Sequence, residues 1–194
     1  MRTATVTRKT KETNISATVK IEGSGTSSVS TGIGFLDHML ELFAKHGMFD
    51  LDLKCKGDIH VDDHHTTEDV AIALGKAFEK ALDDKAGIAR YGSAYVPMDE
   101  SLARCVIDLS GRGVLMFKAD FNRKKVGDLS TEMIRHFFLS FADNLKANVH
   151  IEVLYGSNTH HKIEAMFKSL AHALRDACEK DPRVKGVLST KGKL

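Results

Sequence analysis

The feature that most constrains this chain is a His-His-x-x-Glu pattern that occurs once in each half of its 194 residues. The first copy spans residues 64–68 and the second spans residues 160–164. Each copy follows a short stretch in which apolar residues alternate with others, at 51–55 and at 149–153. Repetition of a whole pattern with its surroundings indicates an internal duplication, in which similar units stack and share apolar surface.

The segments that precede the two patterns also correspond. The first contains His38 beside an apolar helical stripe of Leu36, Met39, Leu40 and Phe43. The second places His136 beside Phe137, Phe138 and Phe141. In each half the periodicity predicts strands, a helix, a further strand and a second helix. We therefore predict an internally duplicated α+β fold with half-domains at 1–88 and 89–194, each a sheet whose helices pack together at the centre.

The spacing within each pattern suits metal binding. Helix residues three or four positions apart share a face, so Glu68 can act with either His65 or His64. Neighbouring helix residues point about 100° apart, so the two imidazoles of a vicinal pair are predicted to serve different ions. Imidazole and carboxylate ligands without a nearby thiolate suit Mn, Fe, Co, Ni or Zn.

Both halves together offer six imidazoles and two carboxylates as metal ligands: His38, His64, His65, Glu68, His136, His160, His161 and Glu164. Shared between two ions, this set gives three histidines and one glutamate for each ion. Open coordination places remain, which is typical of catalytic sites. Because the imidazoles of a pair diverge, we predict that the spare histidines reach ions held by another half or another chain. Metal would then drive self-association.

Composition argues against several classes of protein. A formal net charge of +2 does not favour nucleic-acid binding, although it allows a local basic pocket for a small anion. Cys55, Cys105 and Cys178 are odd in number and widely spaced, which fits a reduced compartment, so we expect a cytoplasmic protein. The beginning of the chain has no leader-like apolar segment, and no apolar run approaches the length of a membrane helix.

Two other functions would use the same ligands. A dinuclear metal hydrolase would turn bound water into a hydroxide nucleophile. A metal-storage or shell-forming protein would need the metal ligands but no anion clamp such as Arg112 or Lys191. A hydrolase and a storage protein can be distinguished by whether a candidate substrate is converted and by which products form.

The motifs resemble those of the imidazoleglycerol-phosphate dehydratase family of histidine biosynthesis. The likeness covers nearly the whole chain and lies in segments 35–40, 57–69, 108–112, 136–138, 160–164 and 189–192. The doubled His-His-x-x-Glu spacing is its most specific part, whereas the position of Gly34 often holds proline in the family. The resemblance implies a ribosomal protein S5 domain 2-like fold, with a four-stranded sheet and two helices in each half and the helices between the sheets.

The resemblance also implies a cofactor and an assembly. Two Mn²⁺ ions would occupy each active site, and trimers would assemble with manganese into a twenty-four-subunit shell, without nucleic-acid or membrane partners. One ion would be held by His38, His65, Glu68 and a His160 equivalent. The other would be held by His64, His136, His161 and Glu164.

Further residue roles follow from the same resemblance. Recognition of the substrate phosphate would involve Arg90, Arg112, Lys168, Ser189 and Lys191. Guanidinium and ammonium groups suit such a dianion. His38, His46 and His60 are further candidates for substrate contact, although His46 ends the first helix ahead of Gly47 and could instead cap it. The candidate catalytic carboxylates are Glu12, which matches a family active-site residue and would transfer protons, together with Glu68 and Glu164. Apart from the resemblance, Asp99 and Glu100 could add acid and base function or form a turn.

The reaction implied is the loss of water from imidazoleglycerol phosphate to give imidazole acetol phosphate. No carbonyl group acidifies the carbon-bound proton that must leave, so the imidazole ring has to accept the electrons. Two manganese ions would stabilise the ring as an imidazolate.

Overall fold

The first half forms a four-stranded sheet with one face turned towards the helices. In the computed structural model, which describes residues 1–194, its strands are β1 (Thr3–Lys9), β2 (Thr13–Lys20), β3 (Ser27–Ser30) and β4 (Asp50–Gly57). They lie in the order β1-β2-β4-β3, with β3 parallel to β4 and the other pairs antiparallel. On β2 the side chains of Ile15, Ala17 and Val19 are buried, as the two-residue period of a strand requires.

The second half repeats this sheet. Its strands are β5 (Tyr91–Met98), β6 (Ser101–Asp108), β7 (Val114–Lys118) and β10 (Asn148–Tyr155). They lie in the order β5-β6-β10-β7, again with one parallel pair at the edge. A small hairpin of β8 (Lys125–Val126) and β9 (Leu129–Ser130) follows β7 and has no counterpart in the first half.

Four helices form a layer between the sheets: α1 (Gly34–Gly47), α2 (His64–Leu82), α3 (Glu132–Leu145) and α4 (Thr159–Cys178). Helix α2 packs on β1 and β2, and α4 packs on β5 and β6. Between the halves, α2 packs against α3 and α1 packs against α4. The predicted duplicated α+β fold, with helices between two four-stranded sheets, is confirmed. The half-domain boundary at 88/89 falls between α2 and β5 and stays a prediction.

The two halves share one hydrophobic core. All 51 buried apolar residues belong to a single cluster, so neither half encloses a core of its own. Phe43 of α1, Phe78 of α2 and Phe141 of α3 meet edge to face, with ring centroids 5.8 to 6.2 Å apart. The apolar helix stripes read from the sequence therefore bury against each other across the halves. None of the four helices combines the length and apolar character needed to cross a membrane.

Gly75 permits the close crossing of α2 and α3. A Cβ atom at this position would lie 2.7 Å from the carbonyl oxygen of Phe141 and 3.0 Å from Asn144. Alanine usually stabilises a helix relative to glycine, but here it would push two packed helices apart. We expect Gly75→Ala to lower the free energy of unfolding by about 1–3 kcal/mol, measured by denaturant titration. The neighbouring Lys76→Ala, at an exposed position, should stay within about 0.5 kcal/mol of the wild type. A stabilised Gly75→Ala variant would contradict the tight crossing.

Candidate metal and active site

One group of possible metal ligands lies where α2 packs against α3. His64 and Glu68 are one turn apart on α2, with His64 Nε2 3.9 Å from Glu68 Oε2. His136 on α3 brings its Nε2 atom to 3.4 Å from Glu68 Oε1. That nitrogen is buried and has no hydrogen-bond partner within the chain. A buried, unpartnered imidazole nitrogen beside a carboxylate and a second imidazole suits a divalent cation.

A second group lies where α1 packs against α4. Glu164 Oε2 is 3.1 Å from His160 Nε2 and 3.6 Å from His38 Nε2. In each group the three possible ligand atoms lie within 4.8 Å of one another. Each group therefore offers two imidazoles and one carboxylate, and each combines residues from both halves of the chain.

The single chain does not assemble the ligand sets implied by the family resemblance. Those sets joined His38 with Glu68 and His136 with Glu164, whereas the structure joins His38 with Glu164 and His136 with Glu68. The reason is helix packing, because α1 contacts α4 and α2 contacts α3. Of the two partners that the helical period allows, each glutamate lies beside the histidine four positions before it, at 3.9 Å for His64 and 3.1 Å for His160.

The other histidine of each pair lies outside these groups. His65 Nδ1 is 3.0 Å from Asp58 Oδ2, and its Nε2 is 3.7 Å from Glu12 Oε1. His161 Nδ1 is 2.7 Å from Glu100 Oε2. The hydrogen bond to Asp58 raises the pKa of His65, and the hydrogen bond to Glu100 raises the pKa of His161. These are the spare histidines that the divergence of vicinal imidazoles predicts.

The β8–β9 hairpin ties the starts of two ligand-bearing helices together. Asp128 accepts hydrogen bonds from the backbone N–H groups of Gly34, at 2.8 Å, and Phe35, at 3.2 Å, at the start of α1. Asp63, just before α2, accepts hydrogen bonds from the backbone N–H and the hydroxyl of Ser130. Free N–H groups at a helix start need such partners. A hairpin from the second half thus fixes the first turns of both helices of the first half.

Lys168 is tied to the group on α1 and α4. Its Nζ atom is 2.6 Å from Glu164 Oε1, one turn along α4. Burial raises the pKa of Glu164, but the hydrogen bond and charge of Lys168, with the hydrogen bond from His160, outweigh it and leave the pKa below its usual value. Glu164 is therefore a carboxylate ready to bind a cation, and Lys168 is an ammonium group beside the same site.

Arg90 links the C-terminal segment to the start of β5. Its guanidinium forms two hydrogen bonds with Asp108, at 2.7 and 3.1 Å, and a third with the carbonyl oxygen of Leu188, at 2.6 Å. Ser189 and Lys191 follow on that segment. The structure thus brings the predicted phosphate residues Arg90, Ser189 and Lys191 to one region, without an ion pair to either histidine group.

The remaining predicted substrate residues lie in three separate places. Arg112 is exposed in the loop between β6 and β7 and forms no ion pair. His46 faces His172, with ring centroids 5.7 Å apart. Burial is the larger cause that lowers the pKa of His46, and the charge of Lys168 is the next. His60 is exposed in the loop before α2 and shares a shallow surface pocket with Glu12 and others. Within one chain these residues do not converge on a single pocket.

The sequence does not indicate a role for Asp58 or Asp128. For Glu100 it allows either an acid or base function or a place in a turn. Each is a carboxylate in a loop that faces the start of a ligand-bearing helix. The run of Asp residues in Asp58-x-x-x-Asp62-Asp63 before the first histidine pair was a usable signal for Asp58. Nothing local marks Asp128, which acts on a helix of the other half.

Known proteins resemble this chain along its whole length. The sequence model of the imidazoleglycerol-phosphate dehydratase family matches residues 31–174. Imidazoleglycerol-phosphate dehydratase of Chloroherpeton thalassium is 59% identical over 191 residues, which cover 98% of this chain and 97% of that protein. The protein of the same name from Acetivibrio thermocellus is 56% identical, with 97% of each chain covered.

A solved structure has the same fold. The crystal structure of imidazoleglycerol-phosphate dehydratase from Staphylococcus aureus superposes with a TM-score of 0.84 at 38% sequence identity, covering 92% of this chain and 99% of that one. The family match, the full-length identity and the superposition agree with the doubled histidine and glutamate groups. The chain therefore belongs to the imidazoleglycerol-phosphate dehydratase family of hydro-lyases.

Proposed function

We propose that this chain removes water from imidazoleglycerol phosphate to form imidazole acetol phosphate, a step of histidine biosynthesis. The family membership supports the reaction. The two groups, each of two histidines and one glutamate, support a metal-dependent active site at these residues. The three free cysteines fit action in the cytoplasm.

The donors of both groups fit manganese as the cofactor. Imidazole nitrogen and carboxylate oxygen are suitable ligands for Mn²⁺, and the buried, unpartnered Nε2 of His136 gains a partner when a cation binds. We propose two ions for each active site, one held by His64, Glu68 and His136 and the other by His38, His160 and Glu164. When bound, the two ions supply positive charge that stabilises the substrate's imidazole ring as an anion.

We propose that His65 and His161 complete the ligand sets of neighbouring copies. Each group within the chain offers three ligands, and the spare imidazoles are held away from both groups. A fourth ligand from another copy makes the active site an intersubunit site. This supports self-association that depends on metal, in the form of trimers that build a twenty-four-subunit shell.

Other side chains bind the substrate and move its protons. Glu12 is our candidate for proton transfer, because its carboxylate is half exposed and accepts no hydrogen bond within the chain. The substrate phosphate is assigned to Lys168, Arg90, Arg112, Ser189 and Lys191, brought together from adjoining copies. His46 and His60 are assigned to substrate contacts at the edges of this site.

The proposal is tested by product analysis. Protein supplied with Mn²⁺ is incubated with imidazoleglycerol phosphate, and imidazole acetol phosphate and inorganic phosphate are both measured. We expect the ketone to form without phosphate release, and we expect chelation to stop its formation. Release of inorganic phosphate would instead identify a hydrolase. Metal uptake with neither product would identify a storage protein.

A further inference from the structure

The two hairpins that lead into the central strands carry a glutamate at the same position. Glu12 directly precedes β2 and Glu100 directly precedes β6, and the strand registers of the two hairpins match residue for residue. Each glutamate lies beside the spare histidine of its own half. The duplication therefore places one carboxylate next to each spare imidazole.

The two glutamates nevertheless have different surroundings. The Glu12 side chain is 50% exposed, accepts no hydrogen bond, and approaches only the Nε2 side of His65, at 3.7 Å. Glu100 Oε2 accepts a hydrogen bond from His161 Nδ1 at 2.7 Å. Its Oε1 atom accepts four more, from the backbone N–H groups of Ser157 and Asn158 and from the hydroxyls of Ser101 and Ser157. Five hydrogen bonds thus hold this carboxylate in place, so it is not free to shuttle a proton.

Asp58 accounts for the difference. It follows β4 and accepts the hydrogen bond of His65 Nδ1 at 3.0 Å, the role that Glu100 plays for His161. The residues that join β10 to α4 are Gly156, Ser157 and Asn158, and none of them is a carboxylate. In the second half the hairpin glutamate has to hold the imidazole, whereas in the first half Asp58 holds it and the hairpin glutamate stays free.

We propose that Asp58 and Glu100 are positioning residues that hold His65 and His161 with the proton on Nδ1 and the lone pair on Nε2, and that Asp58 thereby leaves Glu12 free for proton transfer. A carboxylate that accepts the Nδ1–H bond fixes the tautomer and orientation of a metal-binding histidine and strengthens its Nε2 as a ligand. This inference rests on the proposed function, in which the two spare histidines bind the metal ions of neighbouring copies.

The test is a pair of double-mutant cycles read by Mn²⁺ binding to the assembled protein. We expect Asp58→Ala and Glu100→Ala each to lower the affinity for one of the two Mn²⁺ ions by about 10–100-fold. This is the usual effect of losing a carboxylate that orients a metal-binding histidine. Asp58→Ala should add nothing in a His65→Ala background, because it acts through that imidazole. It should add its full effect to His161→Ala. Glu100→Ala should add nothing in a His161→Ala background and its full effect in a His65→Ala background.

A separate measurement tests the release of Glu12. At saturating Mn²⁺ we expect Asp58→Ala to lower kcat about tenfold, part of the 10²–10⁴-fold that proton transfer contributes, because Glu12 is drawn to the vacated Nδ1. Ser157→Ala is the control for the start of α4, since it removes one donor to Glu100 without touching His161, and it should leave Mn²⁺ affinity unchanged.

The inference is overturned if Asp58→Ala binds Mn²⁺ like the wild type, if its effect persists undiminished in the His65→Ala background, or if its kcat at saturating metal is unchanged. These outcomes are distinct from failure of the proposed function. A wild-type protein that binds Mn²⁺ but forms no imidazole acetol phosphate would refute the proposed reaction. The binding cycles would still decide whether the two carboxylates position the histidines.

Discussion

Replacing Glu68 and Glu164 together by glutamine will remove bound manganese and lower kcat/KM by more than about 1,000-fold. Each glutamate is the only carboxylate of its group, at 3.4 to 3.9 Å from its two histidines for Glu68 and 3.1 to 3.6 Å for Glu164. Losing a residue that merely orients a metal ligand costs about 10–100-fold, and losing the charged ligand itself costs more. The metal content of the purified variant and its turnover of imidazoleglycerol phosphate are the two measurements.

The two single variants should differ in stability even though both lose metal. Glu164→Gln leaves Lys168, whose side chain is only 15% exposed, without its partner at 2.6 Å. Glu68 forms no such pair with a lysine or arginine. We therefore expect metal-free Glu164→Gln to be the less stable of the two, because an unpaired, poorly solvated charge is costly.

A matched control lies on the same helix as Glu68. Glu79 also sits on α2 but pairs only with Lys146, at 3.0 Å, away from both histidine groups. Glu79→Gln should keep its metal and its activity. Full metal content and turnover in the Glu68 and Glu164 double variant would end the assignment of these glutamates as ligands.

Replacing Glu12 by glutamine will lower kcat by about 10²–10⁴-fold, the contribution typical of general acid–base catalysis, with little change in bound manganese. Glutamine keeps the shape of the side chain but cannot take up or release a proton at neutral pH. The side-chain carboxylate of Glu12 accepts no hydrogen bond and reaches the imidazole of His65 only at 3.7 Å, so its replacement should leave the fold intact. Steady-state kinetics and metal analysis on the same preparation measure both quantities.

Two further variants make the Glu12 result specific. Asp52→Asn removes an exposed carboxylate on β4, paired weakly with Lys54 at 3.9 Å, and should behave as the wild type. Glu12→Asp retains a titratable group and should recover part of the lost rate. A Glu12→Gln variant within about threefold of wild-type kcat would assign proton transfer to another group.

The duplication and the types of elements could be read from the sequence because their signals are local. Alternation at 51–55 and 149–153 and the helical stripe around His38 depend only on the geometry of a strand or a helix. The same holds for the divergence of the two imidazoles in each vicinal pair. The hairpin at 125–130 was not foreseen, since its two-residue strands are too short to show a period.

The composition of each ligand group was decided by tertiary structure. The sequence determined that two sets of histidine and glutamate exist and that each pair has a spare imidazole. It did not determine that His38 meets Glu164 and that His136 meets Glu68. That exchange follows from the packing of α1 against α4 and of α2 against α3. Apolar stripes are not specific for one partner helix, so only the packed core selects which stripes meet.

The roles of the supporting carboxylates were also fixed by the fold. Asp58 and Glu100 lie in loops of different kinds, and the sequence does not show that both reach the Nδ1 atom of a histidine. A hydrogen bond of this kind depends on positions set by strand register and helix start to within a few tenths of an ångström. The sequence determined which chemical groups the chain carries, and the tertiary structure decided which of them touch, because contact between distant residues is a property of the packed layers.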